Sequence, residues 1–191
     1  MVDGVRADEV DGIVAAWRRE RGDLDVEPLQ VLSRLARLAA VLDERRTRAF
    51  VAHDLQGHEF DVLSVLRRSG APFERTAGEL SALTHVTTGT MTSRLDRLVA
   101  RGLVTRRPDP ADGRLVRARL TGAGRQRVDA AFETLLHSER ELLAALDPER
   151  RAELADALRR LLGAAAVESA FAHPTGSTVA SPARGRVRTS P

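Results

Sequence analysis

The sequence predicts a mainly α-helical chain carrying one small β-hairpin, and three observations lead there. Apolar residues recur at three- and four-residue spacing along most of the chain up to Leu162, which is the helical period. Two short runs, Leu103 to Arg107 and Arg114 to Leu120, read as strands on either side of a turn from Pro108 to Gly113. Thr76 stands three residues before Glu79, the spacing of a capping box, and so marks a helix start just ahead of that hairpin.

These elements follow one another closely. Thr76 to Leu83 is a short helical run, Thr84 and His85 form a polar turn, and Thr87 or Thr88 caps a second helix in which Met91, Leu95, Leu98 and Val99 form the apolar stripe. At about 100° per residue, Gly89, Thr90, Ser93, Asp96 and Arg97 fall on the opposite face and Arg94 on its flank. Gly102 stops the helix, the hairpin follows, and Thr121 caps the next helix. Helix, turn, helix and β-hairpin wing together make a winged helix-turn-helix reader. A solvated helix usually displays long charged side chains, whereas one that enters a major groove needs short residues for close approach and a few groups to read base edges. Thr87, Thr88, Gly89, Thr90, Thr92, Ser93 and Arg97 meet that need, with Asp112 and Arg114 at the wing.

Charge agrees with this placement. Between Thr84 and Arg119 the chain has eight arginines and three acids, five positive charges in excess, whereas the whole chain carries only +3. Positive potential is therefore concentrated on the reader, as a duplex-binding surface requires.

The run Thr88 to Leu98, followed by Arg101-Gly102-Leu103-Val104, resembles the recognition helix and first wing strand of the MarR-type bacterial transcription regulators. Asp112-Gly113-Arg114 is similar to the D-x-R of that family's wing, and Leu120-Thr121-Gly122-Ala123-Gly124 to the L-T-x-x-G that opens the following helix. Gly113 departs from the pattern, since many members carry a second arginine there. The resemblance spans Trp17 to Leu162 and is strongest from Phe60 to Gly124. It implies a DNA-binding transcriptional regulator, a homodimeric repressor of a pseudo-palindromic operator that a small anionic aromatic effector releases. Trp17, Asp61, Arg94 and Arg106 are similar in type and placement to the ligand set of the family's urate-responsive branch, in which an additional N-terminal helix bears the tryptophan. The other reading of these residues is a structural Asp61–Arg94 ion pair with Trp17 as a dimer anchor.

The flanks read as helices. Val10, Ile13, Val14 and Trp17 describe an amphipathic helix from Val5 to Glu20, and Leu32, Leu35, Leu38, Ala39 and Leu42 one face of a long helix from Leu29 to about Leu55. Phe60, Leu63 and Leu66 mark a support helix from Glu59 to Arg68. Gly122 to about Leu146 forms another long helix, and Asp147-Pro148 caps a last one lined by Leu154, Leu158, Leu161 and Leu162. This organisation is one domain over 1–165, with the reader at about 57–121, N- and C-terminal dimerisation helices at 5–55 and 122–163, and a disordered tail at 166–191. The flanking helices hold more apolar surface than one copy needs, so a second copy is the expected cover.

The remaining chemistry is sparse. With no cysteine, disulfides, thiolate metal sites and thiol-based peroxide sensing are excluded. The five histidines lack metal-ligand spacing, and no phosphate loop or G-x-S-x-G elbow is present. No catalytic residue, metal site or cofactor is expected. No apolar run approaches the ~18 residues of a membrane span and the N-terminus is too acidic for a signal peptide, so a cytoplasmic location with no membrane partner follows. The expected partners are double-stranded operator DNA, a second copy of the chain and a small-molecule effector. Two other readings stand beside this one, a helical protein-interaction module reusing a winged-helix fold without specific DNA binding and a small enzyme.

Overall fold

The structure, a computed structural model, describes residues 7–113 and 115–172, with side chains to 165. Arg114, His173 and most of the expected tail lie outside the described residues. The helices are α1 (Glu9–Glu20), α2 (Pro28–Val51), α3 (Gly57–Arg68), α4 (Ala77–Leu83), α5 (Thr88–Ala100), α6 (Gly122–Leu143) and α7 (Pro148–Ala172), and the strands are β1 (Glu74–Thr76), β2 (Val104–Pro108) and β3 (Val116–Leu120). The chain divides into two compact units, the first ending at Leu142 and the second beginning at Leu143.

Side-chain caps set several helix starts. Asp8 accepts from Val10 N–H at 2.8 Å while Asp11 accepts from Asp8 N–H at 2.8 Å, a reciprocal cap that starts α1 four residues later than apolar spacing suggests. Val10 and Val14 then pack with Val26 and Leu29 in a small cluster of their own, and Arg34 clamps Asp8 and Asp11 from α2 at 2.8 and 2.7 Å. Trp17 is not part of that cluster and stands 49% exposed. Gly57, expected to separate two helices, is instead the first residue of α3; the break is at Asp54, whose φ of 54° takes the left-handed region. In the second unit, Asp147 accepts from Arg150 N–H at 2.8 Å and Pro148 opens α7. This helix runs to Ala172, past the expected end at 163, because the alanines after Gly163 favour helix.

The main core belongs to the first unit. Ala49 and Phe50 of α2, five residues of α3, three of α5 together with their neighbours, and Val128, Ala131 and Leu135 of α6 form one cluster, in which Phe50 and Phe60 stack at 4.1 Å. Most of the apolar face of α2 is absent from it. Val31, Leu32, Leu35, Leu38 and Val41 are exposed, against the usual rule for a helix this apolar.

The wing has three strands in the order β1-β3-β2, all antiparallel, with Glu74 opposite Arg119 and Val104 opposite Leu120. The sequence suggests only the hairpin, because three residues are too few to show alternation. Gly124 matters at its base. A Cβ there would stand 2.1 Å from the Leu103 carbonyl oxygen, so only glycine lets α6 pass so near β2.

One ionic cluster joins α3 and α6 to the residues that follow α2 and α5. Glu59, buried in the first turn of α3, accepts from Arg101 Nη1 at 2.6 Å and from Gln56 N–H at 3.0 Å. Arg101 also donates to the backbone carbonyl and carboxylate of Asp54, and Arg127 of α6 reaches the same carboxylate at 2.7 Å. Burial pushes the Glu59 carboxyl up, but the hydrogen bonds from Arg101 and Gln56 outweigh it and hold the group below its ordinary value. A depressed carboxyl stabilises the fold above its unfolded pKa of about 4.3, and the contribution disappears as pH falls through the folded value. Arg101→Met should therefore lower stability at pH 7 by about 2 kcal/mol, less than a fully buried pair would lose because Arg101 is part exposed. The deficit should shrink at an acid pH below the depressed folded value, where Glu59 has taken up a proton. Urea unfolding at both pH values checks this, and an equal deficit at each would show that Glu59 is not the partner that counts.

Candidate nucleic-acid interface

The reader is assembled from its caps outward. Thr76 accepts from Glu79 N–H at 3.2 Å, and Glu79 accepts from Thr76 N–H at 2.7 Å, which starts α4 and holds the Glu79 carboxyl below its ordinary value. Between α4 and α5 the chain turns at His85, whose φ of 53° is in the left-handed region, and Val86 N–H donates back to the Ser81 carbonyl at 3.1 Å. Thr87 caps α5 through Thr90 N–H at 3.3 Å. The expected capping residue was Thr87 or Thr88, and the structure resolves it in favour of the first.

Met91, Leu95 and Leu98 are fully buried and fix the rotation of α5. Val99, expected in the same stripe, is 38% exposed, because its angle carries it past the edge of the core. Thr87, Thr88, Gly89, Thr90, Thr92, Ser93, Asp96 and Arg97 are exposed, as the sequence predicts. Thr92 Oγ1 donates to the Thr88 carbonyl at 3.0 Å and Ser93 Oγ to that of Gly89 at 3.3 Å. Their donor hydrogens are thus turned onto the helix and their lone pairs face outward, where exocyclic amines of a base can reach them. A methyl group on Gly89 would touch nothing within 4 Å, so no internal packing demands a glycine there.

The arginines divide into two groups. Arg101, Arg106, Arg107 and Arg117 are each held by a carboxylate: Arg101 by Glu59 and Asp54, Arg106 by Asp96 at 2.6 Å, Arg107 by Glu74 at 2.6 Å, and Arg117 by Asp109 and more distantly by Glu74. Among the described residues, Arg94, Arg97 and Arg119 make no ion pair. Four of the arginines counted toward the positive excess are therefore compensated, and three of their partners, Asp54, Glu59 and Glu74, lie outside the counted stretch. The excess is carried by fewer residues than the count implies.

Asp109 organises the wing turn. It accepts from Ala111 N–H at 2.7 Å and Asp112 N–H at 3.2 Å and from Arg117, and these donors, the Ala111 amide foremost, hold its carboxyl below the ordinary value. Neither Asp109 nor Glu74 is in the predicted site; the signal for the first was present, since Asp-Pro opening a turn marks a side chain that binds the next amides. Asp112 sits in this turn, and Arg114 is outside the described residues.

The four residues similar to a ligand set are not gathered at one cavity. Asp61 is exposed on α3 and lines a cavity of about 740 Å³ with Arg46, Phe60, Arg67, His85 and Phe132. Trp17, Arg94 and Arg106 do not line it. Arg106 Nη2 additionally donates to the Thr92 carbonyl at 3.0 Å. The alternative Asp61–Arg94 ion pair is not formed: neither residue is in an ion pair among the described residues.

Helix, turn, helix and three-stranded wing define a winged helix-turn-helix DNA-binding fold. The family model described as MarR family matches residues 53–115. The HTH-type transcriptional regulator PecS of Dickeya dadantii (strain 3937) is 37% identical over 155 residues, covering 81% of this chain and 91% of PecS. Among solved structures, a MarR family protein from Bacillus stearothermophilus superposes with a TM-score of 0.63 at 25% identity, over 75% of this chain and 99% of that one. A mutant MarR from E. coli complexed with operator DNA gives a TM-score of 0.56 at 27% identity, over 73% of this chain and 99% of that one. The chain belongs to the MarR family of transcriptional regulators, which are not enzymes.

Gly89 gives a test that separates folding from recognition. Gly89→Ala should raise stability by up to about 1 kcal/mol, since it removes a glycine from a helix without a clash. If this end of α5 enters a groove, duplex affinity should nonetheless fall, because the added methyl group would hold the backbone off a base. Thermal unfolding and fluorescence anisotropy measure the two; unchanged or tighter DNA binding would mean that this part of α5 does not enter a groove.

Proposed function

We propose that the protein is a cytoplasmic, homodimeric repressor whose two α5 helices enter major grooves of a pseudo-palindromic operator about 34 Å apart. The observation that carries this is the outer face of α5, where Thr87 to Thr90, Thr92, Ser93 and Arg97 are short or unpaired and exposed while the opposite face is locked in the core. The dimer is supported by the bare face of α2 and by α7, in which no side chain up to Ala165 is buried. Asp112 and Arg114 complete the DNA set at the wing. A helical interaction module would have no use for an exposed, hydroxyl-lined helix face.

Gel shifts against the intergenic DNA preceding the protein's own gene test this reading. Arg97→Ala should lose about 1–3 kcal/mol on the operator and relax preference at one base position. Arg114→Ala should weaken binding and flatten its dependence on salt. If both variants held operator as tightly as the parent, or if the parent bound no duplex in a salt-dependent way, the interaction module would be the better account.

Release by a small planar anion such as urate is the second part of the proposal, with Trp17, Asp61, Arg94 and Arg106 as its residues. The cavity against Asp61 supports it, since room for a ligand lies beside a carboxylate on the helix that also carries Glu59. Arg106 would have to exchange Asp96 for the anion. A ligand that releases DNA binds the free protein more tightly than the complex. Titrating urate, other purines and phenolic acids into the protein–DNA complex should dissociate it and alter Trp17 fluorescence. If no such anion at millimolar concentration changed either signal, or if Arg106→Ala responded like the parent, this ligand set would be abandoned and the repressor retained.

A further inference from the structure

We propose that Asp96 is a specificity-determining residue: by holding Arg106 against α5 it keeps that cation from sequence-independent phosphate contacts and so widens the gap between operator and other DNA. The proposal rests on the reading that α5 enters the major groove.

Asp96 is the single acid in α5, and it occupies the outer face, one turn after Thr92. Arg106 comes from β2 and spans that turn, with Nη1 at 2.6 Å from Asp96 Oδ1 and Nη2 at 3.0 Å from the Thr92 carbonyl. Two α5 groups therefore take up two of its donors in a fork, the geometry that would otherwise suit a phosphate. The Asp96 side chain is 60% exposed. The Arg106 side chain is 29% exposed, so the pair is wet on its Asp96 side only; a pair open to solvent at one end stabilises a fold modestly, and β2 is already hydrogen-bonded along β3.

A carboxylate on a groove-facing helix opposes phosphate whatever the sequence, and so does a cation withheld from it. The two effects are not equal on all DNA. In a complex held by the backbone alone, α5 has no fixed pose, and an Arg106 released from Asp96 is free to find a phosphate. On the operator, contacts of Thr90, Ser93 and Arg97 to base edges fix α5 in one pose, in which a released Arg106 has fewer phosphates to choose from. Restraining Arg106 therefore costs more on other DNA than on the operator, and that difference is what discriminates.

Asp96→Asn removes the charge and loosens Arg106. Random duplex should then bind about 5- to 10-fold more tightly at moderate salt and show a log–log salt slope steeper by about 0.9 per added phosphate contact. Operator affinity should rise by about 2-fold or less, so the ratio of the two falls. Arg106→Gln, which breaks the same pair but leaves Asp96 bare, should weaken random-duplex binding and leave the ratio intact or higher. Asp96→Ala repeats the charge loss with better helix propensity, so that a failure of folding in the asparagine variant does not decide the matter. Arg97→Ala is measured alongside on the same two duplexes. If it leaves operator binding unchanged, the placement of α5 is wrong. If Arg97→Ala loses operator binding while Asp96→Asn and Asp96→Ala weaken both duplexes equally or leave their ratio unchanged, the pair only braces the wing and the proposal is overturned.

Discussion

The placement of the reading helix depends on one carboxylate shielded from water. Glu59 sits in the first turn of α3, where its own helix start offers it Gln56 N–H, and its remaining demand is met by Arg101 at the end of α5. A buried charge without a counter-charge is costly, so α5 cannot pivot away from α3 without exposing or orphaning Glu59. Arg101 carries the same constraint to Asp54 at the left-handed turn after α2, and Arg127 carries it on to α6. The apolar stripe of Met91, Leu95 and Leu98 sets the rotation of α5; this polar corner sets its position along the core. Hydrophobic burial is non-directional and tolerates sliding, whereas a forked arginine does not.

The same economy of charge runs through the wing. Glu74 on β1 and Asp109 at the turn hold Arg107 and Arg117, so two cations that would otherwise reach for any phosphate are used to stiffen the sheet. Between Thr84 and Arg119, the described arginines left without an ion pair, Arg94, Arg97 and Arg119, are a sparser set than the arginine-rich sequence suggests. Positive charge in a nucleic-acid reader attracts, but it discriminates only where its direction is fixed.

Local signals in the sequence were enough to place most elements. Thr76 with Glu79, Thr87 ahead of α5, Gly102 after it, Thr121 before α6 and Asp147-Pro148 before α7 each act within four residues, and each does in the structure what its spacing predicts. What the sequence hid is non-local. Arg101 and Glu59 are 42 residues apart and Arg107 and Glu74 are 33 apart, so no short window along the chain could show that these two arginines are neutralised. β1 was hidden for another reason: its three residues gain their strand character from β3 alone. Val99 and the apolar face of α2 mark a third limit, since periodicity tells which residues share a face but not whether the chain itself covers it.

On α3, the proposed reading and the proposed response would share one element. Glu59, which fixes α5, and Asp61, which lines the 740 Å³ cavity, are two residues apart on one helix. Phe60 between them stacks on Phe50 and approaches Phe132 at 6.5 Å, so the cavity wall and the core of the reader share a ring. A helix turn held by hydrogen bonds moves as a unit, and close-packed cores pass displacements on rather than absorb them. An anion entering beside Asp61 would raise the electrostatic cost of that carboxylate and act on α3 at the point where Glu59 grips Arg101. The two carboxylates are about half a turn apart, and Glu59 is joined through Arg101 to the end of α5. Release would then require no long pathway through the protein, only a ligand that binds better when α3 has shifted than when it has not.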